Sequence, residues 1–197
     1  MNLYPSQYNC IGILAKHCDL SKLCVAENEA SNFDLAELFC DFWMEIEAIV
    51  LEVDAYIANP ELPIPTNYTE KTFLLNGGVY LDCSEKQRPF EGVYKIMAYY
   101  SYARYIVLNG FNDTATGMVT KTNDFSIPKT LKELESFADK YRNMGKISFE
   151  RTVRYICQNS EIFDYSHCPK DKCGCGSEKC GSTKAKGYGF RSRNINK

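Results

Sequence analysis

Between residues 90 and 128 the chain carries its tightest constraint on folding. A tyrosine-rich apolar run leaves almost no polar face, and a Gly-containing turn and a proline follow it. The run reads FEGVYKIMAYYSYARYIVLNG and continues FNDTATGMVTKTNDFSIP. From about Pro89 to Leu108 the spacing predicts a helix in which Lys95, Ser101 and Arg104 are the few polar positions. A helix that is apolar around most of its circumference is buried around most of it. In a small domain, burial on the far side is expected from another subunit. Tyr94, Tyr99, Tyr100 and Tyr102 are therefore candidate partner-binding residues. Each ring offers apolar area and a hydroxyl that needs a partner, which suits a surface that is wet before assembly. A tyrosine-rich core within the chain is the competing expectation.

The rest of the pattern predicts a mainly α fold with four principal helices. Ser31 or Asn32 caps the first, which starts near Phe33, has Asp34 in its first turn and ends at Asn59-Pro60. Its apolar positions, from Leu35 through Phe39, Trp43, Ile46, Val50 and Val53 to Ile57, form a wide stripe, and the intervening acids make the other face negative. Residues 60–85 form a long connection with a short strand at Thr72–Leu75 and a turn at Asn76-Gly77-Gly78. The tyrosine-rich helix is the second and stops at Asn109-Gly110. A small turn or hairpin follows, around Asp113, Thr116, Met118 and Lys121, projecting rather than buried. Thr130 and Glu133 form a capping box for the third helix, which Gly145 closes, and Ser148 caps the fourth. Residues 1–163 make the domain, and 164–197 form an extended Cys/Gly/Lys-rich C-terminal tail.

The net charge of −2 gives no global attraction for nucleic acid, but its distribution is polar. No Lys or Arg lies between Lys22 and Lys71, a stretch with eleven carboxylates, whereas the chain from Lys170 onward carries eight cations against Asp171 and Glu178. Such polarity fits two different partners or a head-to-tail contact between neighbours. Residues 1–20 lack a secretory signal pattern, and no segment has the length of a membrane span. Of the ten cysteines, Cys10, Cys18, Cys24, Cys40, Cys83 and Cys157 sit among apolar residues and are expected to be buried thiols in a reducing cytoplasm.

The other four, Cys168, Cys173, Cys175 and Cys180, follow one another as C-x4-C-x-C-x4-C beside His167. Four thiolates in a Gly-rich segment are a candidate structural zinc set, although the spacing is not the paired C-x2-C form. Further on, Lys184, Lys186, Arg191 and Arg193 alternate with glycines and aromatics. That composition suits a nucleic-acid backbone or a neighbouring acidic protein surface. Nothing in the chain sets up catalysis: there are two histidines, no P-loop, no G-x-S-x-G and no H-E-x-x-H. The protein is expected not to be an enzyme.

The block from Gly92 to Pro128 carries a resemblance. The helix AYYSYARYI, then ND-T-x-T-G-M-V-T-K, then a Ser-x-Pro lead-in to a helix ending Y-R-N-M-G, resembles the head–tail connector (adaptor) proteins of tailed bacteriophages, the crAss-like phage version above all. The resemblance covers roughly residues 30–160. It implies a four-helix adaptor-type bundle that forms a ring, usually dodecameric, beneath the portal protein and extends the DNA channel from capsid to tail. The partners it implies are further copies of the chain, the portal, and other tail or ring proteins. DNA passes without specific binding, and no membrane is involved. It implies that Asp113–Lys121 reaches an adjacent ring, that residues 164–197 dock on the portal, and that the protein resides in the virion after synthesis in the bacterial host cytoplasm. The acidic first helix is expected either to line the channel or to receive a neighbour's basic tail. The alternative function is a small helical regulator whose zinc-stapled basic tail binds nucleic acid.

Overall fold

The computed structural model describes residues 3, 8, 19–82, 84–114, 117–120 and 130–166. The fold is mainly helical, with two short antiparallel hairpins. Helix α1 spans Leu20–Glu29, and its first turn is capped by Asp19, whose carboxylate accepts from the Lys22 N–H at 3.2 Å. The rod continues through a π-helical segment, Ala30–Leu35, into the short α2, Ala36–Phe39. The predicted start near Phe33 therefore lies inside a longer helical run. The run breaks at Cys40, where φ is 50° and ψ −133°, a conformation that strains any residue with a Cβ. Helix α3, Phe42–Ala58, follows.

Helix α4, Tyr68–Asn76, occupies the place where the sequence suggested a strand at Thr72–Leu75. Leu74 and Leu75 are both fully buried, and short apolar runs of this kind do not separate helix from strand. Strands β1 (Gly78–Leu81) and β2 (Gln87–Phe90) pair antiparallel from Gly78↔Phe90 to Leu81↔Gln87. Their turn is organised by Asp82, whose carboxylate accepts from the Ser84 and Lys86 N–H groups and from Arg88 Nε. At the base of this hairpin Gly77 (φ 79°) and Gly92 (φ 75°) lie backbone to backbone. A Cβ on Gly77 would overlap the Glu91 carbonyl, and one on Gly92 would overlap the Gly77 amide. Only glycine combines that approach with positive φ.

Helix α5, Gly92–Asn109, is the centre of the molecule. It packs on α1, on α4, on the π-helical segment and along α6, Leu131–Gln158. Val93, Ile96, Met97, Ala98, Tyr100, Ser101, Ala103 and Tyr105 are buried along it. The expectation that a second subunit must cover this helix is corrected here, because elements of the same chain cover it. The missing partner was α1, whose sequence carries little periodic signal. After α5 come β3 (Phe111–Thr114) and β4 (Gly117–Thr120), the hairpin the sequence suggested, with Phe111 opposite Thr120.

The predicted third and fourth helices are one. Thr130 and Glu133 make the expected capping box, but Gly145 does not end the helix: it is buried in the middle of α6 against the ring of Tyr100. Here glycine serves close helix packing and not termination. At 28 residues α6 is about 42 Å long, at 1.5 Å per residue. Beyond it Phe163 and Tyr165 fold back so that both rings meet Phe42 edge-on, at the start of α3. Tyr155 stacks on Phe90 at 4.3 Å and ties α6 to the first hairpin. The cysteine expectation also needs correction: Cys24 and Cys40 are exposed free thiols, and Cys157 is disulfide-bonded. Cys10, Cys18, Cys83 and the four tail cysteines lie outside the described residues.

Candidate assembly surface

The tyrosines of α5 are used within the chain. Tyr100 is buried and lies over Gly145. Tyr102 meets Tyr141 of α6 edge-on at 4.8 Å and stacks with Tyr105. The Tyr105 hydroxyl accepts from the Asp19 N–H at 3.2 Å, closing α1 onto α5. Tyr94 packs against the core half-buried. Burial raises the phenol of Tyr99 above its ordinary value, and the nearby Glu91 carboxylate adds to the shift.

The one arginine of α5 is also engaged internally. Arg104 grips Asp34 bidentately, with Nε and a terminal nitrogen donating at 2.6 and 3.1 Å, and donates to Glu29 at 3.0 Å. Its guanidinium lies 5.7 Å from the centre of the Phe33 ring. Two carboxylates of the cation-free acidic stretch are thereby neutralised, which periodicity could not show. A second polar contact is deeper. Tyr8 donates to Glu27 Oε1 at 2.6 Å, with both side chains buried. Burial pushes the Glu27 carboxyl above its ordinary range, and hydrogen bonds from Tyr8 and the Leu3 backbone offset part of the shift.

What the fold leaves uncovered lies elsewhere. Helix α3 buries Phe42, Trp43, Ile46, Ile49, Val50 and Val53. On its opposite side Met44, Ala48, Leu51 and Ala55 recur at i, i+4, i+7 and i+11, and all four are exposed, Met44 at 69% and Leu51 at 72%. Helical geometry puts Glu47 and Asp54 along one edge of this stripe and Glu45 and Glu52 along the other. Lys71 donates to Glu52. Glu45 is pushed up by burial and by the neighbouring Asp164 carboxylate. Among the described residues no cation pairs with Glu47 or Asp54.

Helix α6 has a counterpart. Phe137 and Met144, seven residues apart, form one outward row with Arg151. Lys140, Ile147 and Arg154 form the adjacent row, again at steps of seven. Phe137 and Ile147 are each half exposed. Arg151 is held by Glu91 at 3.1 Å, while Lys140 lies over the Tyr141 ring and Arg154 is exposed. One uncovered face is thus apolar with acidic edges, and the other is apolar among cations. The expectation of a negative outer face on α3 is corrected here: Met44, Ala48, Leu51 and Ala55 make its centre apolar and the acids only edge it. The α6 face was hidden by the division of that helix at Gly145.

Of the other predicted contact residues, Asp113 and Met118 face each other across the β3–β4 hairpin. Thr116, Lys121, Lys184, Lys186, Arg191 and Arg193 lie outside the described residues, as do Cys168, Cys173, Cys175 and Cys180. Among the described residues there is no cluster of three or more metal-ligating side chains, and no helix long and apolar enough to cross a membrane.

No curated protein and no solved structure matches the chain. Residues 62–175 match the model of a family of unknown function, DUF6712. That span takes in α4, both hairpins, α5 and α6, and leaves α1 and α3 outside it. More than half of the chain falls within the match, and the chain belongs to this family of unknown function, DUF6712.

Proposed function

We propose that this protein is a structural virion component, without catalytic activity, that forms a ring at the head–tail joint of a tailed bacteriophage. In this role it extends the DNA channel beneath the portal, in an adaptor-type helical bundle built on α3, α5 and α6. The supporting observation is the pair of unlike apolar faces on α3 and α6. A ring of identical subunits needs two different complementary faces on each subunit, whereas a two-fold dimer needs only one self-complementary face. A monomer has no use for either, since contiguous exposed apolar surface marks contact with a partner.

The partners are further copies of the chain, the portal, and other tail or ring proteins. The β3–β4 hairpin, with Asp113, Thr116, Met118 and Lys121, contacts the adjacent ring, and the basic tail with Lys184, Lys186, Arg191 and Arg193 docks on the portal. Tyr94, Tyr99 and Tyr102, half-buried in the free chain, border the ring contact. The tail cysteines remain a candidate structural zinc set. DNA passes through the ring without specific contacts. The test is quantitative mass spectrometry of purified virions, with this chain counted against the portal protein. A ratio near one to one is expected, and absence from the particle would overturn the proposal.

A further inference from the structure

We infer that the outward face of α3 binds the outward face of α6 on a second copy of the chain, in a head-to-tail contact. Three observations point to this occupant. The first is charge. The α3 stripe is edged by Glu47 and Asp54, which no described cation neutralises, and the α6 rows contain Lys140 and Arg154, which no described carboxylate pairs with. Edges of mainly opposite sign favour this unlike pairing over two α3 faces or two α6 faces.

The second observation is shape. On α3 the rows are Met44–Leu51–Ala58 and Ala48–Ala55, so small residues alternate with large ones. The α6 rows present the bulky Phe137, Met144 and Ile147. Large side chains on one helix seat over small ones on the other, and rows repeating every seven residues favour helices crossing at a shallow angle. The third is length. The α3 stripe runs about 17 Å from Met44 to Ala55, and the α6 rows run about 26 Å from Phe137 to Arg154, at 1.5 Å per residue. One stripe fits along the other.

This inference deepens the ring proposal by naming its contact and rests on it only for the setting: the contact is testable without a virion. Two variants of the full chain serve. Glu47→Lys with Asp54→Lys disables the α3 face, and Lys140→Glu with Arg154→Glu disables the α6 face. Glu47 is half-buried and the other three are exposed, and circular dichroism and urea midpoints verify that both variants fold.

The unmodified chain at about 100 μM is expected to show species larger than a dimer by native mass spectrometry and light scattering. Each variant alone is expected to be monomeric. An equimolar mixture of the two is expected to regain species larger than a dimer, because the unmodified faces pair with each other and the reversed charges on the other two faces are again complementary. An unmodified chain that stays monomeric would overturn the inference. So would an unmodified chain that stops at a dimer, which is the two-fold outcome, or a mixture that forms no complex. Association lost in the α3 variant but kept in the α6 variant would overturn it too, since α3 would then be occupied by the basic tail or by a second α3 face and not by α6. A contact confirmed in solution with the protein absent from virions would sink the head–tail reading and leave the interface standing.

Discussion

Arg104 does at one residue what a whole polar face does on most helices. Its guanidinium holds Asp34 and Glu29 together and locks the π-helical segment to α5. Replacing it with methionine keeps much of the volume but leaves two carboxylates facing each other half-buried. Hydrogen bonds to charged groups are worth about 1.5–3 kcal/mol. Arg104→Met is therefore expected to lower stability by about 2 kcal/mol in urea titration. Arg104→Lys is expected to restore only part of it, since an ammonium cannot reproduce the bidentate fork. Glu27 gives a pH signature of the opposite kind to most carboxylates. Because burial raises its folded-state value above the ordinary 4.5, the folded chain holds this proton more tightly than the unfolded chain does. The resulting stabilisation is complete below pH 4.5 and is lost as pH rises through the raised value. Glu27→Gln keeps an acceptor for Tyr8 and removes the charge. The urea midpoint of the variant is expected to equal that of the unmodified chain at pH 4 and to exceed it at pH 8, and the reverse order would show that the ionised carboxylate is favoured.

At the level of elements, α6 depends on its first turn and on its middle. The Thr130 hydroxyl accepts from the Glu133 N–H at 3.3 Å, and Glu133 accepts in return from the Thr130 N–H at 2.9 Å. Thr130→Ala is expected to cost about 1 kcal/mol and to speed amide exchange over the first two turns only, because the rest of the helix is held by α5. In the middle, a Cβ on Gly145 would approach the Tyr100 ring to 2.7 Å. Gly145→Val is expected to lose about 2 kcal/mol through overpacking, read as a lower urea midpoint at unchanged slope. A midpoint that holds would show that Tyr100 has room to swing aside. The capping box was legible in the sequence because it depends on residues three apart. The role of Gly145 was not, because a glycine that ends a helix and one that admits a neighbouring ring look alike until the neighbour is known.

For the whole molecule, the decisive quantity is which apolar surface remains after folding. Met44 and Leu51 contribute almost nothing to the core. Leu51→Glu is therefore expected to change stability by less than about 0.5 kcal/mol. The same substitution places a fifth carboxylate in the middle of the proposed contact and is expected to weaken self-association at least tenfold, measured by sedimentation equilibrium. A large stability loss without a change in association would mean that the chain's own segments cover this face.

Sequence alone determined the mainly helical class, the extents of α5 and most of α3, the start of α6 and the hairpin after Gly110. Each of these is written in periodicity, caps and turn residues that act over a few positions. Tertiary structure decided what those elements face. It turned the tyrosine-rich helix inward, supplied α1 to cover it, joined two predicted helices into one, and left α3 and α6 each with an outward apolar face. The physical reason is that a period of 3.6 shows that a side of a helix is apolar, while only packing determines which element, if any, lies against it.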